Sequence, residues 1–140
     1  MAWKFADGKA IYLQIMEYIL MDILSGKYRM GEKIPSVRDL AMEAAVNPNT
    51  MQKALSEMED YGLISAQRTA GRYITTDKEA IEKARKSMAK NFVETYRRSM
   101  AKLGYTEEEM TRMLSEPQNV SAEERECYPK SEGSEDDHPT

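Results

Sequence analysis

The chain has 140 residues, of which 41% are hydrophobic and 31% charged, and its formal net charge is −4. This length allows one globular domain, or one domain with an appendage. The single cysteine, Cys127, excludes an internal disulfide and a cysteine zinc cluster, and the single histidine, His138, stands next to the C-terminus. We therefore expect no metal, no cofactor and no enzymatic activity.

The acidity is concentrated at the C-terminal end. Residues 1–76 carry nine basic and nine acidic residues, residues 77–114 carry nine and seven, and residues 115–140 carry two and eight. The first segment is therefore neutral, and its non-specific affinity for nucleic acid should be modest. The first residues lack the apolar core of a secretion signal, and no apolar run is long enough to cross a membrane. We expect a cytoplasmic protein without a membrane partner.

A first helix is predicted from Ala10 to Leu24. Its apolar residues form two neighbouring stripes of helical period, one made of Ile11, Ile15, Ile19 and Ile23 and the other of Tyr12, Met16, Leu20 and Leu24. A helix that packs on one small domain needs only one stripe. The second stripe indicates a further contact, with the C-terminal helices or a second subunit, unless some of these residues are simply exposed. In the leader, residues 1–9, Trp3 and Phe5 are candidates for anchoring the chain.

Two shorter helices follow, each with a capping signal. Ser36 is a good N-cap for the first helix, and Asn47 caps the second, with Pro48 at its first position. Gly62 is the expected left-handed stop of the second helix. The apolar residues of both helices recur at helical spacing, as Val37, Leu40, Ala41 and Ala44 and as Met51, Ala54, Leu55 and Met58. Since only residues 45–47 separate the helices, they should cross steeply, as in a helix-turn-helix or in a merely structural corner.

The outer side of the second short helix is polar and free of acids in its N-terminal half. Opposite the apolar stripe lie Asn49, Gln52, Lys53 and Ser56. Amide side chains can bind an adenine edge, and lysine can reach guanine or phosphate. The three acids of this helix, Glu57, Glu59 and Asp60, lie at its other end. This polarity suits a recognition helix, which enters the major groove by its N-terminal residues.

A β-hairpin, or wing, is predicted after the second short helix. Its strands are Leu63–Gln67 and Arg72–Thr76, joined around Thr69–Gly71. Arg68 and Arg72 flank the tip and are predicted to enter a minor groove of the DNA, whose negative potential favours arginine. The alternative is that both arginines are simply solvated.

Four sequence marks lie at linked spacings: Gly31, Pro35–Ala41, Val46–Thr50 and Gly62–Ile64. With them, the stretch from Ile11 to Ile74 resembles the DNA-binding domain of the GntR family of bacterial transcription regulators. Several linked motifs are more specific than one short pattern. The resemblance covers roughly half of the chain.

The resemblance implies a winged helix-turn-helix in residues 1–76 that binds a double-stranded DNA operator. Arg38 and the segment Asn47–Gln52 match positions that contact DNA in relatives. Combined with the outer side of the helix and the wing, this gives the predicted DNA-binding set: Ser36, Arg38, Asn47, Asn49, Thr50, Gln52, Lys53, Arg68, Thr69, Gly71 and Arg72.

The C-terminal part is predicted to form two helices. The first runs from Asp77 to Lys102 and ends near Gly104, and the second is capped by Thr106 and Glu109. A stripe of helical period on the long helix supplies the predicted dimerisation residues: Ile81, Met88, Phe92, Tyr96, Met100 and Leu103. Two such helices are too small to fold as an independent domain, so they should pack on the first helix, on a second subunit or on both.

The short C-terminal region resembles the YtrA-like branch of the family, which implies that residues 77–115 serve dimerisation. Residues 116–140 have few large apolar side chains and are predicted to form a disordered acidic tail.

The sequence thus predicts a mainly helical fold with a small β-hairpin: a winged helix-turn-helix domain, a two-helix dimerisation appendage and a disordered tail. We expect a homodimeric transcription regulator that acts as a repressor on a palindromic operator. The alternative is a winged-helix module that binds a protein partner and never contacts DNA, which the neutral charge of residues 1–76 favours. No small-molecule effector is assigned; such a ligand would bind between helices or at the dimer seam.

Overall fold

The computed structural model describes residues 3–67 and 71–116. In chain order the elements are α1 (Ile11–Leu24), α2 (Val37–Ala44), α3 (Pro48–Asp60), β1 (Ile64–Gln67), β2 (Gly71–Ile74), α4 (Lys78–Lys102) and α5 (Glu107–Ser115). The two strands form one antiparallel sheet. The predicted mainly helical fold with a hairpin is confirmed, while the predicted tail, except for Glu116, lies outside the described residues.

The starts of α2 and α3 follow from their caps. The Ser36 hydroxyl accepts a hydrogen bond from the backbone N–H of Asp39 at 3.1 Å. The Asn47 amide oxygen accepts one from the backbone N–H of Asn49 at 2.7 Å, and Pro48 occupies the first turn. Each cap satisfies a backbone donor that the helix itself leaves unpaired. Both predicted helix starts are therefore confirmed.

The corner between α2 and α3 is formed by a left-handed residue that is not glycine. Ala45 has φ 59° and ψ 47°, and the backbone N–H of Val46 donates to the carbonyl of Ala41 at 3.0 Å. An L-residue in this conformation costs roughly 1–2 kcal/mol. The capping hydrogen bonds at the end of α2 and the packing of the helices on both sides compensate for this cost, since the alanine side chain itself is exposed.

The core lies where α1, α2, α3 and the hairpin meet. Its most fully buried large side chains are Ile15, Ile19, Leu40, Met51, Leu55, Met58 and Ile74. These residues come from the stripes predicted for the three helices and from the inner side of β2. The second stripe of α1 is divided, because Tyr12 and Met16 pack partly against this core whereas Leu24 is exposed.

The leader is fixed along α1. The buried Gln14 amide donates to the carbonyls of Ala6 and Lys9 and accepts from the backbone N–H of Ala6. The Trp3 ring stacks on Tyr18 with 4.8 Å between ring centroids. Trp3 and Phe5 also pack against the core, so their predicted anchoring is confirmed. Aromatic pairs with this geometry contribute beyond the area that they bury.

The chain divides into two compact units, one up to Phe92 and one from Val93, so the division falls inside α4. In the second unit the Thr106 hydroxyl accepts from the backbone N–H of Glu109 at 3.2 Å, while the Thr106 N–H donates to the Glu109 carboxylate at 2.9 Å. The latter hydrogen bond lowers the pKa of the Glu109 carboxyl. This reciprocal cap confirms the predicted start of α5. Among the described residues, no helix is long and apolar enough to cross a membrane.

The left-handed corner leads to a prediction about stability. Ala45→Gly should raise the free energy of unfolding by ~0.5–1 kcal/mol, because the relieved strain exceeds the added entropy of the unfolded chain. Urea denaturation would measure the change. Ala89→Gly, the same substitution at an exposed position inside α4, is the matched control and should lower it by about 1 kcal/mol. A loss of stability at position 45 as large as at position 89 would contradict the strained corner.

Candidate nucleic-acid interface

The recognition side of α3 is open to solvent. Asn49, Gln52 and Lys53 are exposed, whereas the opposite side of the helix is buried. This division follows from the helical period, because residues three or four apart share a side. The predicted separation of core stripe and polar side is therefore present in the structure.

Gln52 is oriented by its own helix. Its amide nitrogen donates to the hydroxyl of Ser56, one turn later, at 3.1 Å. No hydrogen bond from the described residues reaches the Gln52 amide oxygen. The amide therefore keeps an acceptor, and this contact restricts its rotation. An amide with a fixed orientation is better suited to distinguish base edges than a freely rotating one.

Lys53 is oriented by the first helix. Its ammonium nitrogen lies 4.1 Å from the centroid of the Tyr12 ring on α1. A cation at this distance over an aromatic ring is attracted by the negative face of the ring. The contact holds a positive charge on the side of α3 that faces α1. The Gln52 amide, in contrast, is held by a residue of α3.

The start of α2 supplies a second group of predicted contacts. Ser36 and Arg38 are exposed. The Ser36 oxygen accepts the capping hydrogen bond, which leaves its hydroxyl hydrogen available as a donor. Within residues 3–67 and 71–116, no acidic side chain forms an ion pair with Arg38. The Asn47 amide oxygen, by contrast, is occupied as the cap of α3, and Thr50 is half-buried.

The hairpin places its predicted contacts in different environments. In the register of the two strands, Arg72 lies opposite Ala66 and Gly71 opposite Gln67. The Arg72 Nε donates to the Glu59 carboxylate on α3 at 2.7 Å. This contact uses one of the five N–H donors of the guanidinium, and the predicted minor-groove contact of Arg72 stays a prediction. Arg68 and Thr69 lie outside the described residues.

Lys33 is a cation near the wing that the sequence reasoning missed. It forms a β-bridge with Tyr73, and its Cε lies 3.1 Å from the position that a Cβ on Gly71 would occupy. The lysine stem therefore crosses the hairpin where Gly71 has no side chain. The sequence did contain a signal for this position. Lys33 precedes Ile34, which is buried, and because side chains alternate along an extended segment, Lys33 is exposed.

The predicted dimerisation stripe divides into two groups along α4. Ile81 is half-buried and packs, with Ala84, against the core of the first unit. Phe92 and Leu103 are 46% and 72% exposed. Met88, Tyr96 and Met100 are half-buried. Ile81 thus has a partner within its own chain, and its role in dimerisation stays a prediction.

Two helices that meet at a tight corner, followed by a hairpin, define a winged helix-turn-helix protein. The exposed, acid-free start of α3, the second of these two helices, is the feature that such proteins present to the major groove. The structure brings the predicted residues of α2 and α3 together with the strands of the wing in one unit.

Comparisons with known proteins agree with this class. The family model of the bacterial regulatory proteins of the gntR family matches residues 11–74. The uncharacterized HTH-type transcriptional regulator YhcF of Bacillus subtilis is 36% identical over 107 residues, which cover 76% of this chain and 88% of YhcF. The HTH-type transcriptional repressor YtrA of the same organism is 43% identical over 65 residues, or 46% of this chain and 50% of YtrA.

A solved structure extends the similarity to the fold. The GntR family transcriptional regulator from Listeria monocytogenes is 40% identical, with a TM-score of 0.69, and the match covers 79% of this chain and 97% of that protein. The chain belongs to the GntR family of DNA-binding transcription regulators.

Proposed function

We propose that this regulator is a repressor that binds a roughly palindromic operator as a homodimer. The observation that carries the proposal is the exposed N-terminal half of α3, where Asn49, Gln52 and Lys53 face solvent without an acid among them. The positive end of the helix dipole adds to the attraction of phosphates at this end.

The side chains have different roles in this proposal. Asn49 and Gln52 read base edges in the major groove, because their amides both donate and accept hydrogen bonds. Arg38 and Lys53 bind phosphates, and Ser36 assists at the start of α2. Lys33 adds a further positive charge beside the wing.

Dimerisation is supported by charge and by apolar exposure. Residues 1–76 are neutral, so one copy lacks the basic field that gives strong phosphate binding. Two copies double the number of specific contacts. Phe92 on α4 and Leu103, directly after the end of α4, are exposed and provide apolar surface for a second copy.

The two-fold symmetry of a dimer requires a palindromic operator, with half-sites separated by about 34–36 Å, one turn of DNA. Repression is the role named for YtrA, and its similarity to this chain supports the same role here.

The experiment that tests the proposal is selection of bound sequences from random duplex DNA, with sedimentation of the same protein in parallel. The expected result is a palindromic consensus bound by two copies of the chain. A well-folded protein that enriches no duplex would contradict the proposal and favour a protein partner. An enriched sequence without symmetry, bound by one copy, would remove the dimer and the palindrome from it.

Base reading by Gln52 leads to a prediction about specificity. Gln52→Ala should relax the preference at one base position in each half-site, at a cost of ~1–3 kcal/mol for the preferred base. Measured affinities for a set of single-base operator variants would show the change. An unchanged ranking of these variants would assign Gln52 a role other than base reading.

Arg38→Ala provides the contrasting control. Because phosphate contacts do not depend on sequence, this variant should weaken all operators alike and reduce the steepness of the salt dependence by about 1 in the log–log slope. A change in base preference at Arg38 instead would assign it to base reading.

The dimer leads to a prediction about α4. Phe92→Glu should raise the dimer dissociation constant by about tenfold or more, because a charge replaces an apolar contact in both copies. Sedimentation over a range of protein concentrations would measure it. Asn91→Glu, which introduces the same charge at the adjacent exposed position, is the matched control and should change the constant little. Equal effects at both positions would contradict an apolar dimer contact at Phe92.

A further inference from the structure

In the part of the chain that the structure describes, one ion pair joins the end of α3 to the second strand of the hairpin. The Arg72 Nε donates to the Glu59 Oε2 at 2.7 Å, and the side chains are only 21% and 26% exposed. A charge-assisted hydrogen bond of this length is roughly twice as strong as a neutral one. Partial burial also makes it less sensitive to salt than a pair on the open surface.

The strand register explains why Arg72 faces α3. Successive side chains along a strand point to opposite sides of the sheet, so Arg72 shares its side with Ile74, which is buried in the core. Gly71 and Tyr73 share the other side, where Tyr73 pairs with Lys33. A shift of one residue in register would exchange these sides. The arginine is therefore directed to α3 by the backbone.

The position of Glu59 on α3 also favours the pair. Glu59 belongs to the last turn of the helix, whose C-terminal end carries a partial negative charge. A guanidinium at this end is stabilised by the carboxylate and by the helix dipole together. The base-reading residues Asn49 and Gln52 lie towards the other end of the same rigid helix.

The remaining backbone links of β2 lead elsewhere. The carbonyl of Arg72 accepts from the N–H of Ile34, and the N–H of Ile74 donates to the carbonyl of Glu32. These bonds tie the strand to the segment before α2. Within the described residues, one side-chain hydrogen bond joins β2 to α3, and it runs from Arg72 to Glu59.

We infer that Arg72 is a positioning residue, which sets the angle of the hairpin relative to α3 through Glu59 and does not bind phosphate itself. The inference rests on the proposed DNA binding. It gives Glu59 a favourable role, although the negative charge of this acid would by itself repel DNA. With the pair intact, the wing and the base-reading end of α3 reach the operator in one fixed arrangement.

The two roles of Arg72 predict opposite effects of neutralising Glu59. If Arg72 binds phosphate, Glu59→Gln releases the guanidinium and removes a negative charge, so operator affinity rises. If the pair positions the hairpin, Glu59→Gln lowers the affinity by about fivefold, since the hairpin must then be ordered on binding. Asp60→Asn removes the same charge from an exposed neighbouring position and is the matched control, with unchanged or slightly raised affinity.

The experiment measures operator affinity of the full-length chain over a range of salt concentrations, with thermal unfolding of each variant recorded so that all are compared while folded. The exchange variant Glu59→Arg with Arg72→Glu should recover most of the affinity lost by Glu59→Gln. In the background of Arg72→Met, Glu59→Gln should have no further effect.

Each outcome decides between the roles. A rise in operator affinity for Glu59→Gln would overturn the positioning role and make Arg72 a phosphate contact. The same conclusion would follow if the exchange variant bound the operator weakly and Arg72→Met reduced the log–log salt slope by about 1. Lowered affinity of the folded Glu59→Gln variant, with recovery in the exchange variant, supports the positioning role. If Glu59→Gln does not fold, near-normal affinity of the exchange variant supports it. Absence of duplex binding by the unmodified protein would overturn the proposed function together with the positioning role. Failure of the positioning role alone would leave DNA binding by the unmodified protein intact.

Discussion

The rest of the first unit depends on the burial of one side of α3. Met51, Leu55 and Met58 are fully enclosed by α1, α2 and the hairpin. A helix of regular period that buries one side completely has its opposite side fixed in space. The backbone position of Asn49 and Gln52 is therefore decided by the apolar residues on the buried side of α3. Burial of each large side chain contributes roughly 1.5–3 kcal/mol, which far exceeds the weak surface contacts of the recognition side.

The polar contacts around α3 refine this arrangement. Gln52 is held by Ser56, Lys53 by the ring of Tyr12, and Arg72 by Glu59. Each contact removes freedom that binding would otherwise have to remove. Because they link α3 to itself, to α1 and to the hairpin, the three elements should meet DNA as one preorganised surface.

Charge explains why such preorganisation matters for this chain. The neutral first 76 residues provide little general attraction to a polyanion. Affinity must then come from well-placed individual contacts, to which the second copy of the proposed homodimer would add its own. Apolar exposure at Phe92 on α4 and at Leu103, directly after α4, supplies a physical reason for the proposed association that does not depend on attraction between charges.

The sequence by itself determined the features that depend on neighbours in the chain. The caps at Ser36 and Asn47, the glycine stop at position 62 and the apolar periods could be predicted, because backbone geometry and helical spacing are local. Tertiary structure decided the rest. Ala45, an L-residue, adopts a left-handed conformation where the two packed helices meet, and Arg72 finds its partner 13 residues away. Ile81 packs against the core of its own unit. Such pairings depend on which surfaces meet in space, and spacing along one chain does not encode that directly.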